Sequence, residues 1–209
     1  PAPYSADDFA SALVYEGRAM TKPPFHNVDD KVAAGFGREW GTFRQNRGSF
    51  SEADRDAIFD DYFRIFPWQR LPRNSVGLDV GCGSGRWSVK VAPRVGHLHL
   101  LDASEEALAV ARENLSDAGN VSFHHASASA IPLPSASLDF AFSLGVLHHV
   151  PDTEGAIAEI ASKLKPGAPF LIYLYYAMEN RPAWYRALWR ASNLLRIVVS
   201  RLPHALRLA

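Results

Sequence analysis

The fold is decided by the stretch Val76-Gly77-Leu78-Asp79-Val80-Gly81-Cys82-Gly83-Ser84-Gly85-Arg86. Its mostly apolar first part, residues 76–80, predicts a buried strand. The three glycines that follow have no Cβ atom, so the backbone there can turn tightly and come close to a ligand. A helix-like segment, near residues 86–93, comes next. We expect the free N–H groups at its start to face whatever binds there.

An acidic residue follows at the distance expected for a nucleotide-type site. Asp102 stands 21 residues after Gly81, at the end of a second apolar run, residues 97–101. An acid about 20 residues beyond such a loop is suited to hydrogen bonding with ribose hydroxyls. The alternative interpretation is an ordinary turn between strand and helix, in which Asp102 or Ser104 only caps the next helix.

The spacing of the glycines separates two classes of cofactor. Dinucleotide sites use G-x-G-x-x-G, in which the third glycine lets the helix pack on the strand. This chain has G-x-G-x-G, followed directly by Arg86. The loop resembles motif I of the class I S-adenosylmethionine-dependent methyltransferases, with Asp79 at the acidic position of the motif.

The resemblance implies an α/β fold: a Rossmann-like, doubly wound and mostly parallel sheet with helices on both faces. It implies S-adenosylmethionine as the cofactor, with the methionine part held by the loop backbone and the ribose held by Asp102. Relatives place an acid where Ser127 stands, to bind the adenine amino group, so the uncharged hydroxyl implies weaker adenine binding. The residues expected at the cofactor are Asp79, Gly81, Cys82, Gly83, Gly85, Asp102, Ala103, Ser127, Ala128 and Leu144.

A second segment, residues 138–152, resembles the fourth-strand region of the type 11 methyltransferases, a branch that acts on small molecules. In that branch, the segment after the strand passes beneath the methyl group of the cofactor. Because adjacent histidines point in different directions, at most one of His148 and His149 is expected to face the pocket. We assign His149 as the candidate base; the alternative for each is a structural histidine.

The acceptor is expected beyond the carboxyl ends of the strands, where ligands bind in sheets of this kind. An aromatic segment of the N-terminal part, residues 36–43, either packs on the core or closes over the site as a lid. The residues expected to meet the acceptor are Trp40, His148, Tyr175, Tyr176, Asn180 and Arg181.

The sequence pattern divides the chain into a mostly helical N-terminal extension (1–75), a cofactor-binding core (76–177) and a helical basic segment (178–209). In the extension, one helix is predicted from Ser51 through Phe66. The core alternates between strand and helix patterns, which favours a parallel sheet. The predicted strands are 76–80, 97–101, 121–124, 138–143 and 169–176, and the predicted helices lie near 86–93, 104–117 and 153–164.

The C-terminal part has the pattern of one more helix, residues 182–200, and no acidic residue occurs from 180 to 209. Class I methyltransferases usually finish with two more strands, which this pattern lacks. Because a missing pair of strands exposes a sheet edge, we expect a truncated chain. The basic helix is interpreted as a lid or a dimer interface, with contact to a membrane surface as the alternative.

Composition excludes several other classes of protein. The formal net charge is zero, which gives no global attraction to nucleic acid. The single cysteine, Cys82, excludes an intramolecular disulfide and is interpreted as a small apolar side chain. No signal peptide, long apolar span or metal-ligand spacing is visible, so we predict a cytoplasmic enzyme without a metal.

The resemblance therefore implies an enzyme that transfers a methyl group from S-adenosylmethionine to a small organic acceptor. Two alternatives stay open at this point. One is an NAD-linked oxidoreductase, which shares the strand-loop-helix logic. The other is a non-catalytic binding module built on the same fold.

Overall fold

The computed structural model describes residues 27–29, 33–35, 51–175 and 181–200, the side chains of 193–200 excepted. The chain forms two compact units, one of residues 21–174 and one of residues 1–20 with 175–209. Each unit is described by itself. Three predicted acceptor residues and the predicted lid lie outside the described residues, namely Trp40, Tyr176, Asn180 and the segment 36–43.

The unit of residues 21–174 is built on a five-stranded sheet in which every described pair of neighbouring strands is parallel. The strands are β1 (Val76–Val80), β2 (His97–Asp102), β3 (Val121–His125), β4 (Phe140–Leu144) and β5 (Phe170–Tyr173). Their order in the sheet is β3-β2-β1-β4-β5. The direction of winding therefore reverses between β1 and β4, which is where ligands bind at the carboxyl ends of such sheets.

Helices cover both faces of this sheet, as the fold class predicts. The helices within residues 51–174 are α1 (Glu52–Phe63), α2 (Ser88–Val91), α3 (Glu105–Asn114) and α4 (Thr153–Lys163), with 3-10 turns at Trp68–Arg70, Ala92–Arg94 and Leu147–His149. The core with α1, α2 and α3 contains five buried phenylalanines, and Phe63 meets Phe142 of β4 edge-to-face at 5.3 Å between ring centroids. The core with α4 is aliphatic, with Leu78 and Ile160 fully buried.

The predicted helix from Ser51 begins where expected but ends earlier. Ser51 forms a capping box with Asp54, in which each side chain accepts from the other residue's backbone N–H. The predicted end at Phe66 is wrong, because α1 ends at Phe63. The Phe66 N–H donates to the Phe63 carbonyl at 2.9 Å, which tightens the chain and buries the Phe66 ring. A residue before a proline also avoids the helical conformation, and Pro67 follows.

The helix after the glycine loop is much shorter than predicted. The expected range was 86–93, whereas α2 has four residues, Ser88–Val91, followed by a 3-10 turn. Pro93 ends it, because proline has no N–H and its ring clashes with the preceding turn. The other core elements differ from their predicted bounds by up to three residues at either end.

The second unit contains one described helix, α5 (Ala183–Ser200), close to the predicted range 182–200. No helix in the described ranges has both the length and the hydrophobicity that a bilayer crossing requires.

Candidate cofactor and acceptor site

The loop after β1 passes through three glycines in the left-handed region of backbone space. Gly81, Gly83 and Gly85 have φ of 73°, 54° and 75°. A Cβ atom on Gly81 would overlap the side chain of Val146, and one on Gly85 would lie 2.8 Å from Leu115. Glycine is thus required here both by conformation and by space. At Gly81 and Gly85 the close neighbour of such a Cβ is a protein side chain.

The N–H groups of this loop are largely used within the protein. Those of Gly81 and Cys82 both donate to the Leu101 carbonyl, at 2.7 and 3.1 Å. The Gly83 N–H donates to Asp102, and the Gly85 N–H donates to the Cys82 carbonyl at 2.9 Å. The N–H groups of these four residues are therefore used within the protein.

Asp102, at the end of β2, lies directly against the glycine loop. Its Oδ2 accepts from the Gly83 N–H at 2.8 Å, and its Oδ1 accepts from the Ser104 N–H at 2.9 Å. Burial raises the pKa of this carboxyl, although the hydrogen bonds from backbone N–H groups oppose the shift. Each carboxylate oxygen has a second lone pair. The geometry therefore brings the predicted loop and the predicted ribose ligand together and leaves acceptor capacity for hydroxyl groups.

The helix cap is a different residue. The Ser104 hydroxyl accepts from the Ala107 N–H at 3.2 Å and is the N-cap of α3. Asp102 contributes by binding the Ser104 backbone, so it holds the loop and the start of α3 at the same time.

Asp79, on β1, is a second buried carboxyl beside the loop. It is 2% exposed, and its Oδ2 accepts a hydrogen bond of 2.6 Å from the Ser88 hydroxyl. Burial raises its pKa to about 7; the hydrogen bond from Ser88 opposes the shift and the negative charge of Asp102 adds to it. Burial and both carboxyls also raise the pKa of the Cys82 thiol, so this side chain is an unreactive, small filler of the loop.

The donor and acceptor set of this site fits a cation. The buried Asp79 and the half-buried Asp102 border a loop in which four N–H groups are already bonded, so a pyrophosphate would meet negative charge and few free donors. S-adenosylmethionine carries a sulfonium and an ammonium group, which relieve this charge. The Ser84 hydroxyl in the loop is buried and has no hydrogen-bond partner within the described part of the chain, so it is available to a polar ligand group.

The predicted adenine segment lies beside the end of β2. The Ala126 N–H donates to the Asp102 carbonyl at 3.1 Å, and His125 contacts the Ala103 carbonyl at 3.1 Å. Ser127 and Ala128 are buried. The Ser127 hydroxyl accepts from the Ser129 N–H at 3.1 Å, so part of its hydrogen-bonding capacity is used locally.

The predicted acceptor side is the loop after β4, residues 145–152. It begins after Leu144 with Gly145, at φ 76° and with open space where a Cβ would stand. The rings of His148 and His149 lie 4.0 Å apart. Burial, and then the charge of its neighbour, lowers the pKa of His148 to about 4. Burial also lowers the pKa of His149, while Asp29 acts in the opposite direction. Both imidazoles are therefore neutral near pH 7 and can accept a proton.

Asn27 holds an N-terminal segment against this loop, and sequence reasoning missed it. Its side-chain Nδ2 donates to the Asp152 carbonyl at 2.9 Å and to the Ser129 hydroxyl, and its Oδ1 accepts from the Asp152 N–H at 2.6 Å. Its φ is 58°, in the left-handed region that asparagine tolerates. No signal in the sequence connects positions 125 residues apart, so only the structure reveals this contact.

Two of the other predicted acceptor residues, Tyr175 and Arg181, are described within the second unit. Tyr175 is 65% exposed. The Arg181 guanidinium lies 5.7 Å from the centroid of the Tyr185 ring. Within the described ranges no three His, Cys, Asp or Glu side chains are arranged to hold a metal ion.

Comparison with known proteins decides between the cofactor classes. Residues 78–172 match the methyltransferase domain family of type 11. These residues are similar to the domains of class I S-adenosylmethionine-dependent methyltransferases. The match spans β1 to β5, including the glycine loop, Asp102 and the histidine pair, and it favours the methyltransferase over the NAD-linked alternative.

Individual relatives of the methyltransferase domain agree. The chain is 33% identical over 123 residues to a ubiquinone biosynthesis O-methyltransferase of Aromatoleum aromaticum, covering 58% of this chain and 52% of that protein. It is 34% identical over 120 residues to a demethylmenaquinone methyltransferase of Listeria monocytogenes, covering 55% and 50%. The structure of YcgJ from Bacillus subtilis is similar with a TM-score of 0.51 and 26% identity, over 59% of this chain and 50% of that one. The chain spans about half the length of the curated relatives it matches.

Proposed function

We propose that this protein transfers a methyl group from S-adenosylmethionine to a small organic acceptor. The observation that carries the proposal is the contact between Asp102 and the glycine loop, at 2.8 Å, beside a second buried carboxyl. It supports the proposal because one ligand with a ribose and two cationic groups satisfies both acids. The family of residues 78–172 supports it independently.

The proposed binding roles follow from these contacts. Asp102 accepts hydrogen bonds from the ribose hydroxyls. Asp79 stabilises the positive charge of the cofactor ammonium electrostatically and helps to orient the loop. The backbone of Gly81, Gly83 and Gly85 and the small side chain of Cys82 shape the seat of the methionine part. The adenine and methyl ends are bordered by the other proposed cofactor residues, Ala103, Ser127, Ala128 and Leu144.

The proposed reaction requires that the acceptor be aligned with the methyl group of the cofactor and that one proton be transferred. The cofactor supplies a methyl group that its sulfonium already activates. His149, neutral near pH 7, accepts the proton of the acceptor hydroxyl through a ring nitrogen as the oxygen becomes the nucleophile. His148 packs on this ring and contributes to excluding water from it. Trp40, Tyr175, Tyr176, Asn180 and Arg181 stay proposals for contacts with the acceptor.

The acceptor class that we propose is a hydroxylated aromatic ring. Relatives named for ubiquinone and demethylmenaquinone methylation suggest a quinone-type acceptor. A neutral histidine suits a phenolic hydroxyl, because a phenol, with a pKa near 10, is a much stronger acid than an aliphatic alcohol and transfers its proton to a general base more readily. We further propose a cytoplasmic enzyme.

Calorimetry on the full chain tests the cofactor assignment. S-adenosylmethionine should bind with micromolar-range affinity, and NADH should not bind. Asp102→Ala should weaken binding by about 1.5–3 kcal/mol, because a charged hydrogen bond is lost. Asp139→Asn is the matched control: this carboxyl also accepts a backbone N–H, from Val76 at 2.8 Å, but lies at the amino end of β4. Absence of heat with S-adenosylmethionine, from protein shown to be folded, would remove the assignment.

Turnover with a dihydroxylated aromatic acceptor, followed as release of the demethylated cofactor, tests the base. His149→Gln should lower kcat on the order of a hundredfold and leave cofactor affinity unchanged. His148→Gln is the adjacent control and should have a much smaller effect on kcat. If His148→Gln alone abolishes turnover, the base is His148; if neither variant changes it, the chain uses no histidine base.

A further inference from the structure

The helix α5 of the second unit separates apolar and basic positions onto two sides. At 100° per residue, positions 184, 188, 195 and 199 fall within a 60° stripe, and they are Trp, Leu, Leu and Val. Arg186 and Arg190 fall on the opposite side, and Arg196 lies beside the border of the stripe. Strong amphipathicity with tryptophan and leucine on one side and arginine on the other is typical of a helix that lies in an interface.

The apolar side is open where its side chains are described. Trp184 is 68% exposed and Leu188 is 62% exposed. Tyr185 and Trp189, one residue further along the chain in each case, are half-buried. The helix therefore presents a large aromatic and a large aliphatic side chain to the solvent, which is costly in water.

Charge is distributed very unevenly along the chain. Residues 181–209 contain six arginines and no acid, whereas the preceding 180 residues contain 16 basic and 22 acidic side chains. A chain of zero net charge thus carries a strongly positive end on an otherwise negative body. A surface that attracts this end while the body stays in solution is negatively charged.

We propose that α5 binds the surface of an anionic lipid bilayer. Trp184 and Leu188 enter the boundary between headgroups and acyl chains, while Arg186 and Arg190 bind lipid phosphates from the polar side of the helix. No described helix is suited to cross a bilayer, so the contact is peripheral. The inference does not depend on the proposed methyl transfer.

Two other occupants fit the same surface less well. A second copy of α5 would cover the apolar stripe but, having no acid, would offer no partner to Arg186 and Arg190 on the opposite side. A nucleic acid would bind the arginines but leave the apolar stripe in water, since its phosphates offer no apolar partner. A bilayer with anionic headgroups satisfies both sides of α5 at once.

Sedimentation of the full chain with vesicles tests the proposal. Binding is expected to vesicles of phosphatidylcholine with 30% phosphatidylglycerol and to be weak with phosphatidylcholine alone, and high salt should reverse it. Arg186→Glu with Arg190→Glu should lower the partition coefficient at least about 25-fold, since each basic residue near such a surface contributes about fivefold. The matched control is Arg70→Glu with Arg73→Glu, two exposed arginines of the other unit, which should change it only slightly.

A second pair of variants separates insertion from simple charge attraction. Trp184→Gln with Leu188→Gln keeps every charge and replaces these residues with a good helix former, so circular dichroism should be unchanged. Vesicle binding should fall on the order of tenfold for each lost apolar side chain.

Equal binding by this pair and the native chain would overturn the insertion, and equal loss in the Arg70 and Arg73 control would overturn the assignment to α5. Absence of binding to anionic vesicles overturns the proposal. If light scattering then shows a dimer that the Trp184 and Leu188 variants abolish, a second copy occupies the surface.

Discussion

The proposed cofactor loop is the glycine loop after β1, and the proposed acceptor loop is the loop after β4, residues 145–152. The two loops lie side by side at the carboxyl ends of β1 and β4, but they are held in different ways. The first is fixed by residues close in sequence: Gly83 bonds to Asp102, 19 positions away. The second is fixed from a distance, since Asn27 bonds to Asp152 across 125 positions. The two loops meet where the absent Cβ of Gly81 leaves room for Val146. The proposed cofactor loop is thus held by residues close to it in sequence, whereas the proposed acceptor loop is held by a remote part of the chain.

The two loops also differ in charge. At the proposed cofactor loop, burial holds the pKa of two carboxyls above their usual range because their negative charge is poorly solvated. A ligand that brings positive charge stabilises the charged form and is therefore favoured. On the acceptor side, burial holds the pKa of two histidines below theirs, which keeps bases neutral. The same burial therefore has opposite effects on proton binding at the two loops.

The contact between the loops gives the largest expected effect. Gly81→Ala places a Cβ against Val146 and forces a residue with a side chain to φ 73°, so we expect a loss of about 3–4 kcal/mol in the free energy of unfolding. Gly145→Ala is the control, because its φ of 76° is the same but the space is open; it should cost only about 1–2 kcal/mol.

Urea unfolding of both variants measures the difference, and Val146→Ala in the Gly81→Ala background should recover part of the loss. Equal destabilisation by the two glycine variants would show that conformation alone matters and that the loops are not packed on each other.

The opposite charge environments should appear in the pH dependence of stability. The pKa of Asp79 is about 7 when folded and about 3.8 when unfolded, so its contribution is full below pH 3.8 and is lost as the pH rises to 7. Between pH 5 and pH 8 this removes roughly 2–3 kcal/mol. Asp79→Asn should abolish that part of the slope.

For His148 the sign is reversed. Its pKa is about 4 when folded against about 6.5 when unfolded, so its contribution is full above pH 6.5 and is lost as the pH falls toward 4. Unfolding curves from pH 4 to 8 for the native chain, Asp79→Asn and His148→Gln resolve the two slopes. A native-like slope between pH 5 and pH 8 in Asp79→Asn would disprove the raised pKa of Asp79.

The smallest effect is expected from the remote contact. Asn27→Gly removes both hydrogen bonds to Asp152 and adds no strain at φ 58°, so we expect a loss of about 1–2 kcal/mol. Asn120→Ala is the control, since its side chain also donates two bonds, to the carbonyls of Ala92 and Val95, far from the acceptor loop.

Hydrogen exchange distinguishes these two asparagines. Amides of residues 145–152 should exchange faster in Asn27→Gly and at the native rate in Asn120→Ala. Unchanged protection of that loop in Asn27→Gly would mean that the N-terminal segment does not restrain it.

The difference between the loops also explains what the sequence could predict. Glycine spacing and Asp102 lie within one strand-loop-strand unit, so their chemistry is visible as a short pattern, and the parallel sheet follows from the alternation of elements. Asn27 lies in a segment with no periodic pattern, and its partner is fixed only by the tertiary fold.

Other errors have local physical causes. The helix α2 is short because Pro93 stops it early, and α1 ends before Phe66 because the ring turns into the core. Periodicity shows where the glycine loop lies and says nothing of the hydrogen bonds that its N–H groups make. Here the Leu101 carbonyl binds two of them.

The interlocking of Gly81 with Val146 sets a boundary for anyone who redesigns acceptor choice in this protein. Changes at positions 147–151 can alter the shape of the proposed acceptor loop while Val146 stays packed on Gly81. A change at position 146 itself is transmitted to the backbone of the glycine loop, where we propose that the cofactor binds. Variant libraries designed for new acceptors should therefore keep this valine.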